Sequence, residues 1–225
     1  MKKIRLILLV FLLFLPLQAQ NDPDPLRFQA EIDDMALWDK KNALPEHPVL
    51  FLGSSSIRMW TTALSFPELP VVNRGFGGAH LSDMLYYKND ILLKYLAPAC
   101  IVIYCGDNDI ASGKSAKRVF GDLVTLCNFS LAAFPQTKLI YIAVKPCPSR
   151  WNFWPEANKL NEMIRELAEA EENLIFADIA TPMLATGNPP AAELFLEDQL
   201  HLSDKGYQMW TSVIAPLLQQ ALNHQ

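Results

Sequence analysis

Beyond its first few positions the sequence has no run of basic residues. Its 225 residues carry 24 Asp and Glu against 19 Lys and Arg, a net charge of −5. A nucleic-acid binder needs a basic face to neutralise phosphates, so nucleic acid is not an expected partner. None of the four cysteines stands in a Cys-x-x-Cys or Cys-x-x-His pair, so zinc-site spacing is missing and no metal is expected. The Gly-x-Ser-x-Gly elbow is absent too, which sets the chain apart from the usual α/β-hydrolases. No repeat of fixed period runs through it. Its long apolar run, Leu6 to Leu15, falls short of the roughly 20 residues that cross a bilayer.

What is present is globular: 51% of residues are hydrophobic, 19% charged and 10% aromatic. Continuous apolar runs recur at Val49–Leu52, Val71-Val72, Ile101–Tyr104, Leu139–Val144 and Leu174–Phe176. Runs without alternation suit strands buried on both faces of a parallel sheet. Helical spacing separates them. It is marked by Leu81, Met84, Leu85, Ile91, Leu92 and Tyr95, then by Val119, Leu123, Leu126 and Phe129. Leu160, Met163, Ile164 and Leu167 mark a third helix. Met209, Val213, Leu217 and Ala221 mark the last, with Ser203 as its N-cap and Pro216 as a point of kinking or breakage. Phe28, Ile32, Met35 and Leu37 suggest one helix before the first strand. Strands alternating with helices imply a three-layer α/β/α sandwich in a single domain over residues 20–225. Cys100 and Cys105 bracket one strand, about 16 Å apart and beyond disulfide reach. The cysteines read as small buried hydrophobes, with a bridge between other pairs left open by the spacing.

In such a sheet, ligands bind outside the carboxyl ends of the strands, so polar residues just after each strand are candidates. Gly53-Ser54-Ser55-Ser56 follows the first strand, where a helix N-terminus favours a developing anion. Asn73-Arg74-Gly75-Phe76-Gly77-Gly78-Ala79-His80 follows the second, its glycines letting backbone amides approach a ligand. Gly106-Asp107-Asn108-Asp109 follows the third, with an Asn amide able to donate to an oxyanion. Asp198-Gln199-Leu200-His201 lies near the end. If the chain turns helically there, the carboxylate can hold imidazole Nδ1–H and leave Nε2 for a serine. Each segment alone reads as well or better as a capped turn or polar loop; the four in this order are a stronger signal.

Together these blocks resemble those of the SGNH hydrolases, the GDSL-type esterases and lipases, over residues from about 48 to 220. The family pattern Gly-Asp-Ser, with Trp a few residues on, falls on Gly53-Ser54-Ser55 and Trp60, with Ser54 in place of the usual Asp. The resemblance implies a flavodoxin-like five-stranded parallel sheet and Ser55 as nucleophile. It further implies Asp198 and His201 as its triad partners, and an oxyanion hole of Ser55, Gly78 and Asn108. No cofactor is implied. Trp60, His80, Arg150 and Trp151 are candidate substrate contacts, and His47 and His224 have no assigned role. The expected reaction is ester hydrolysis through an acyl-enzyme, on short acyl esters of carbohydrate. Two other readings are a lysophospholipase or thioesterase acting on lipid esters, and a non-catalytic carbohydrate-binding module.

Lys2, Lys3 and Arg5, the apolar run and Ala19 have the order of a secretory signal peptide over residues 1–19. Its removal takes away three cations and no acid, leaving sixteen against twenty-four. The expected mature protein is acidic, exported to the periplasm or medium, and not inserted in a membrane. N-terminal sequencing of protein from its native host should therefore start near Gln20; an intact Met1 in a membrane fraction would contradict the signal.

Overall fold

The computed structural model describes residues 22–223. The signal segment and His224 lie outside those residues. The five apolar runs form β1 Val49–Gly53, β2 Val71–Gly75, β3 Cys100–Tyr104, β4 Lys138–Ile142 and β5 Leu174–Ala177. All pair in parallel, in the order β2-β1-β3-β4-β5, which is the flavodoxin-like order. Every residue of β1 and β3 is buried. That explains the unbroken apolar runs, since both faces of the sheet are covered.

The helices are α1 Gln29–Lys41, α2 Ser55–Arg58, α3 Thr62–Ser65, α4 Leu81–Tyr86 and α5 Lys88–Ile91, then α6 Asp107–Ala111, α7 Ala116–Ala133, α8 Trp154–Ala170, α9 Ala180–Leu184 and α10 Asp204–Asn223. Alternate strand residues feed two separate cores. Leu50, Leu52, Ile101, Ile103 and Tyr141 pack toward α1, α4, α5, α7 and α8. Phe51, Val102, Tyr104, Ile140 and Ile142 pack the other way, against α2, α9 and α10. The three layers are therefore those the sequence implies.

Some local expectations change. The single helix expected from Leu81 to Tyr95 is two short ones, α4 and α5. Tyr87 separates them at ψ 12°, and its buried hydroxyl donates to the Pro25 carbonyl at 3.0 Å. Leu37 lies off the buried face of α1 and is exposed. α10 continues through Pro216 rather than ending there. Ser203 does cap it, its hydroxyl accepting from the Gly206 N–H at 3.3 Å. All four cysteines are free and buried, so no bridge forms. Among the described residues no helix is long and apolar enough to cross a membrane.

Trp60 requires a correction. Expected to touch substrate, it is 2% exposed and sits in the α10-side core. It meets Phe51 and Trp210 edge-on and stacks on Tyr207, and its indole N–H donates to Ser65. Its place a few residues after Ser55 serves packing beneath the Ser55 turn. Trp60→Ala should lower stability by about 3–5 kcal/mol, as large buried aromatics do. Urea unfolding checks this, and a substitution without effect on stability would return Trp60 to the surface.

Candidate active site

The chain leaves β1 for β2 on one side, then crosses to β3 on the other. β1 and β3 thus flank the switch point of the sheet, where a crevice opens at the carboxyl ends. Gly53, Gly75 and Tyr104 stand in register at this edge. A Cβ on Gly75 would come within 2.3 Å of the Arg58 backbone nitrogen, so only glycine lets α2 sit this close to β2. Asn73 secures the arrangement: its amide donates to the Ile57 and Trp60 carbonyls at 2.6 and 3.1 Å. Ser55 is the first residue of α2, so its N–H has no partner within the helix.

His201 reaches Ser55 across 146 positions of sequence, Nε2 to Oγ at 3.0 Å. Its Nδ1 lies 2.5 Å from Asp198 Oδ2. An ionised carboxylate only accepts, so Nδ1 carries the proton and Nε2 is left to accept from the Ser55 hydroxyl. The turn is not helical, as the spacing suggested. Gln199 adopts φ 54°, and Asp198 Oδ1 accepts from the Leu200 and His201 N–H groups, both at 2.9 Å. A bridge between Phe195 and Leu202 closes the loop's base. Partial burial pushes the Asp198 carboxyl up. The His201 side-chain bond and the two backbone donors outweigh that and hold it at about 2, against an ordinary 3.8.

Gly78 and Asn108 lie in the segments that follow β2 and β3. Gly78 has φ +77°, and a Cβ there would meet nothing, so backbone conformation rather than space calls for glycine. Asn108 Nδ2 donates to the Ala79 carbonyl at 3.0 Å, tying the β3 loop to the Gly78 loop. Its second amide hydrogen remains for a ligand. Amides of Ser55 and Gly78 and the Asn108 side chain are donors of the kind an oxyanion requires.

The remaining candidates divide. His80 is 7% exposed, with Nδ1 3.6 Å from Asp109 Oδ1, beneath the Gly78 loop rather than on an open surface. Burial pushes its pKa down, against the pull of Asp109. That corrects its expected contact with substrate. Trp151 is half-buried and stacks on Trp154 with ring centroids 6.3 Å apart. Arg150 is engaged by protein partners, Asn108 and Asp107.

The sequence reading passed over a buried cluster behind Ser55. Lys145 Nζ, 3% exposed as a residue, donates to Ser56 Oγ, Tyr104 OH and Asp107 Oδ2 at 3.0, 2.9 and 3.2 Å. Its signal was available: Lys145 directly follows the fourth apolar run. Between the turn after α2 and the start of α10 a groove of about 400 Å³ is lined by Met59, Thr61, Ser65, Leu196, Tyr207 and Gln208 among others. Among the described residues no group of three or more His, Cys, Asp or Glu is placed to hold a metal ion.

A family model described as GDSL-like Lipase/Acylhydrolase family matches residues 55–209. The chain belongs to that family. This acylhydrolase is thus an ester-cleaving hydrolase. It is 26% identical over 176 residues to platelet-activating factor acetylhydrolase IB subunit alpha1 of Bos taurus, covering 75% of this chain and 73% of the relative. The Homo sapiens protein of that name matches to the same extent. A GDSL-like lipase from Bacteroides thetaiotaomicron shares its fold, with a TM-score of 0.72 at 22% identity over 86% of this chain and 99% of that one. So does an acetylxylan esterase from Geobacillus stearothermophilus, solved as a catalytic mutant, with a TM-score of 0.65 at 14% identity over 76% of this chain and 94% of that one.

The Asp198 carboxyl supplies a direct check. In His201→Ala its pKa should rise from about 2 toward 3.8, because the strongest stabilising bond to its charge is gone. Carboxyl-carbon NMR titration of both proteins measures this. A depressed folded-state value means that the contact stabilises the fold above the unfolded pKa. That contribution is lost as pH falls from about 4 through about 2. An unchanged titration in His201→Ala would show that His201 does not hold the carboxylate.

Proposed function

We propose that Ser55, His201 and Asp198 form the triad of an exported serine esterase that removes short acyl groups, acetyl above all, from carbohydrate. The single observation that carries the triad is the continuous contact from Asp198 Oδ2 through the His201 ring to Ser55 Oγ. His201 Nε2 takes the hydroxyl proton as Ser55 Oγ bonds to the acyl carbon. The ester carbonyl oxygen becomes an oxyanion, received by the amides of Ser55 and Gly78 and by Asn108 Nδ2. As the tetrahedral carbon collapses, the bond to the alcohol oxygen breaks and His201 returns the proton to it. Water then repeats the sequence on the acyl-enzyme, releasing the acid and restoring Ser55. Asp198 fixes the ring's tautomer and offsets its positive charge during each transfer.

Two observations support the substrate class. The curated relative is by name an acetylhydrolase. The groove between the turn after α2 and the start of α10 sets Thr61, Asp204 and the Gln208 amide against Tyr207 and Met59, a mixed polar and aromatic lining suited to a hydroxylated ring. Export rests on the basic, apolar and small-residue order of residues 1–19.

A nitrophenyl ester series from acetyl to long acyl chains, run beside acetylated xylo-oligosaccharide and a lysophospholipid, tests the reading. The expected result is kcat/KM highest at acetyl, with acetate released from the oligosaccharide. A long-chain optimum would transfer the enzyme to lipid esters. In the same assay Asp198→Asn should lose about four orders of magnitude in kcat, as removal of a triad carboxylate does. Retained activity would remove Asp198 from its role.

A further inference from the structure

Arg150 lies in the 3-10 stretch Pro148–Phe153 that follows β4, with its side chain 22% exposed. Its guanidinium has two protein partners. Nη2 donates to Asn108 Oδ1 at 2.9 Å, and Nη1 lies 3.2 Å from Asp107 Oδ2. We propose that Arg150 is a positioning residue for the oxyanion hole, acting through Asn108 and anchored by Asp107. The inference rests on the reading of Asn108 as an oxyanion donor.

Chemistry fixes the Asn108 amide unambiguously. A guanidinium has only donors, so the amide atom facing Arg150 must be Oδ1. The Ala79 carbonyl only accepts, so the atom 3.0 Å from it must be Nδ2. The two contacts agree, and reversing the amide would break both. With one Nδ2 hydrogen committed to Ala79, the other is held in a single direction. Without Arg150 the amide loses the contact that defines its oxygen end. A positive charge against Oδ1 also polarises the amide and strengthens Nδ2–H as a donor.

The anchor is rigid for the same kind of reason. Asp107 is buried, which pushes its pKa up, but Lys145 and Arg150 beside it outweigh the burial and hold it low, so it stays ionised. Arg150 hydrogen-bonds Asn108 through Nη2 while Nη1 stands beside Asp107 as an ion pair without a hydrogen bond, two contacts from one planar group that a lysine ammonium cannot reproduce. The same 3-10 stretch reaches the histidine turn. Ser149 donates from its N–H and its hydroxyl to the Gln199 carbonyl at 3.2 and 3.0 Å. One short segment therefore braces the oxyanion donor on one side and the Asp198–His201 turn on the other.

The test is a double-mutant cycle on nitrophenyl acetate with Arg150→Met, Asn108→Ala and the double variant, beside Arg150→Lys. Thermal unfolding establishes that each is folded; Arg150→Lys keeps Asp107 paired should the methionine variant not fold. Arg150→Met should lower kcat by about 10- to 100-fold, part of what a whole oxyanion donor is worth, with KM within about twofold. Arg150→Lys should fall in between. In the Asn108→Ala background the Arg150 substitutions should change kcat by less than about threefold, since the group they act through is gone. A raised KM with unchanged kcat would make Arg150 a substrate contact and overturn the proposal. So would an Arg150 effect that persists in full without Asn108. If Asn108→Ala alone keeps wild-type kcat, the oxyanion reading itself fails, a result distinct from the other two.

Discussion

The buried carboxylate of Asp107 holds the catalytic edge of this acylhydrolase together. Its Oδ1 accepts from Ser54 at 3.4 Å, and from the Asn108 N–H at 3.0 Å. Its Oδ2 faces Lys145 and Arg150, each at 3.2 Å. Those partners come from the ends of β1, β3 and β4, so one charge links three neighbouring strands where Ser55 and Asn108 emerge. Such a group is costly to bury alone; leaving one member of a buried pair without its partner typically costs about 3–5 kcal/mol. The arrangement gives the site a geometry with few alternatives, because each polar atom in the cluster depends on the others being in place.

The fold divides the reacting groups between two kinds of support. Ser55, Gly78 and Asn108 follow β1, β2 and β3, so their spacing is set by strands hydrogen-bonded in fixed register. His201 and Asp198 belong to a loop ahead of α10, with no strand beneath them. Local bonds hold that loop instead: the Phe195–Leu202 bridge, the Asp198 carboxylate on two backbone N–H groups, and Ser149 on Gln199. The histidine thus meets the serine through a turn braced from several sides, and the brace from Ser149 joins it to the segment carrying Arg150.

The layers were legible in the sequence because five apolar runs lacked alternation, as strands covered on both faces do, whereas the strand order was implied only by the family resemblance. Three of the polar blocks were legible because strand ends in such a sheet share one edge, and the fourth because Asp and His three positions apart can meet in a turn. Tyr87 and Leu37 were not, since a helical spacing count sees neither a hydroxyl seeking a carbonyl nor the exact face a short helix turns inward. Trp60 and His80 misled for a related reason. Nearness to Ser55 and Gly78 along the chain says nothing about whether a side chain points out of the crevice or under it. Lys145 was passed over and Arg150 was expected at the substrate for another reason: their partners lie 38 and 42 positions away, and a cation of this kind shows no local pattern until the strands are placed.

The serine at position 54 follows from the same electrostatics. The family pattern has Asp before the nucleophile, but here Ser54 is fully buried and donates toward Asp107. A carboxylate at position 54 would face the Asp107 carboxylate in a site closed to water. Two such groups cannot both stay ionised without a large rise in the pKa of one. If the charge settled at position 54, it would draw away the cations that now hold Asp107 and, through Arg150, Asn108. A hydroxyl avoids the conflict because it donates to the charge instead of repelling it. Positions 54 and 107 of this chain therefore share one negative charge, and it stands beside Asn108.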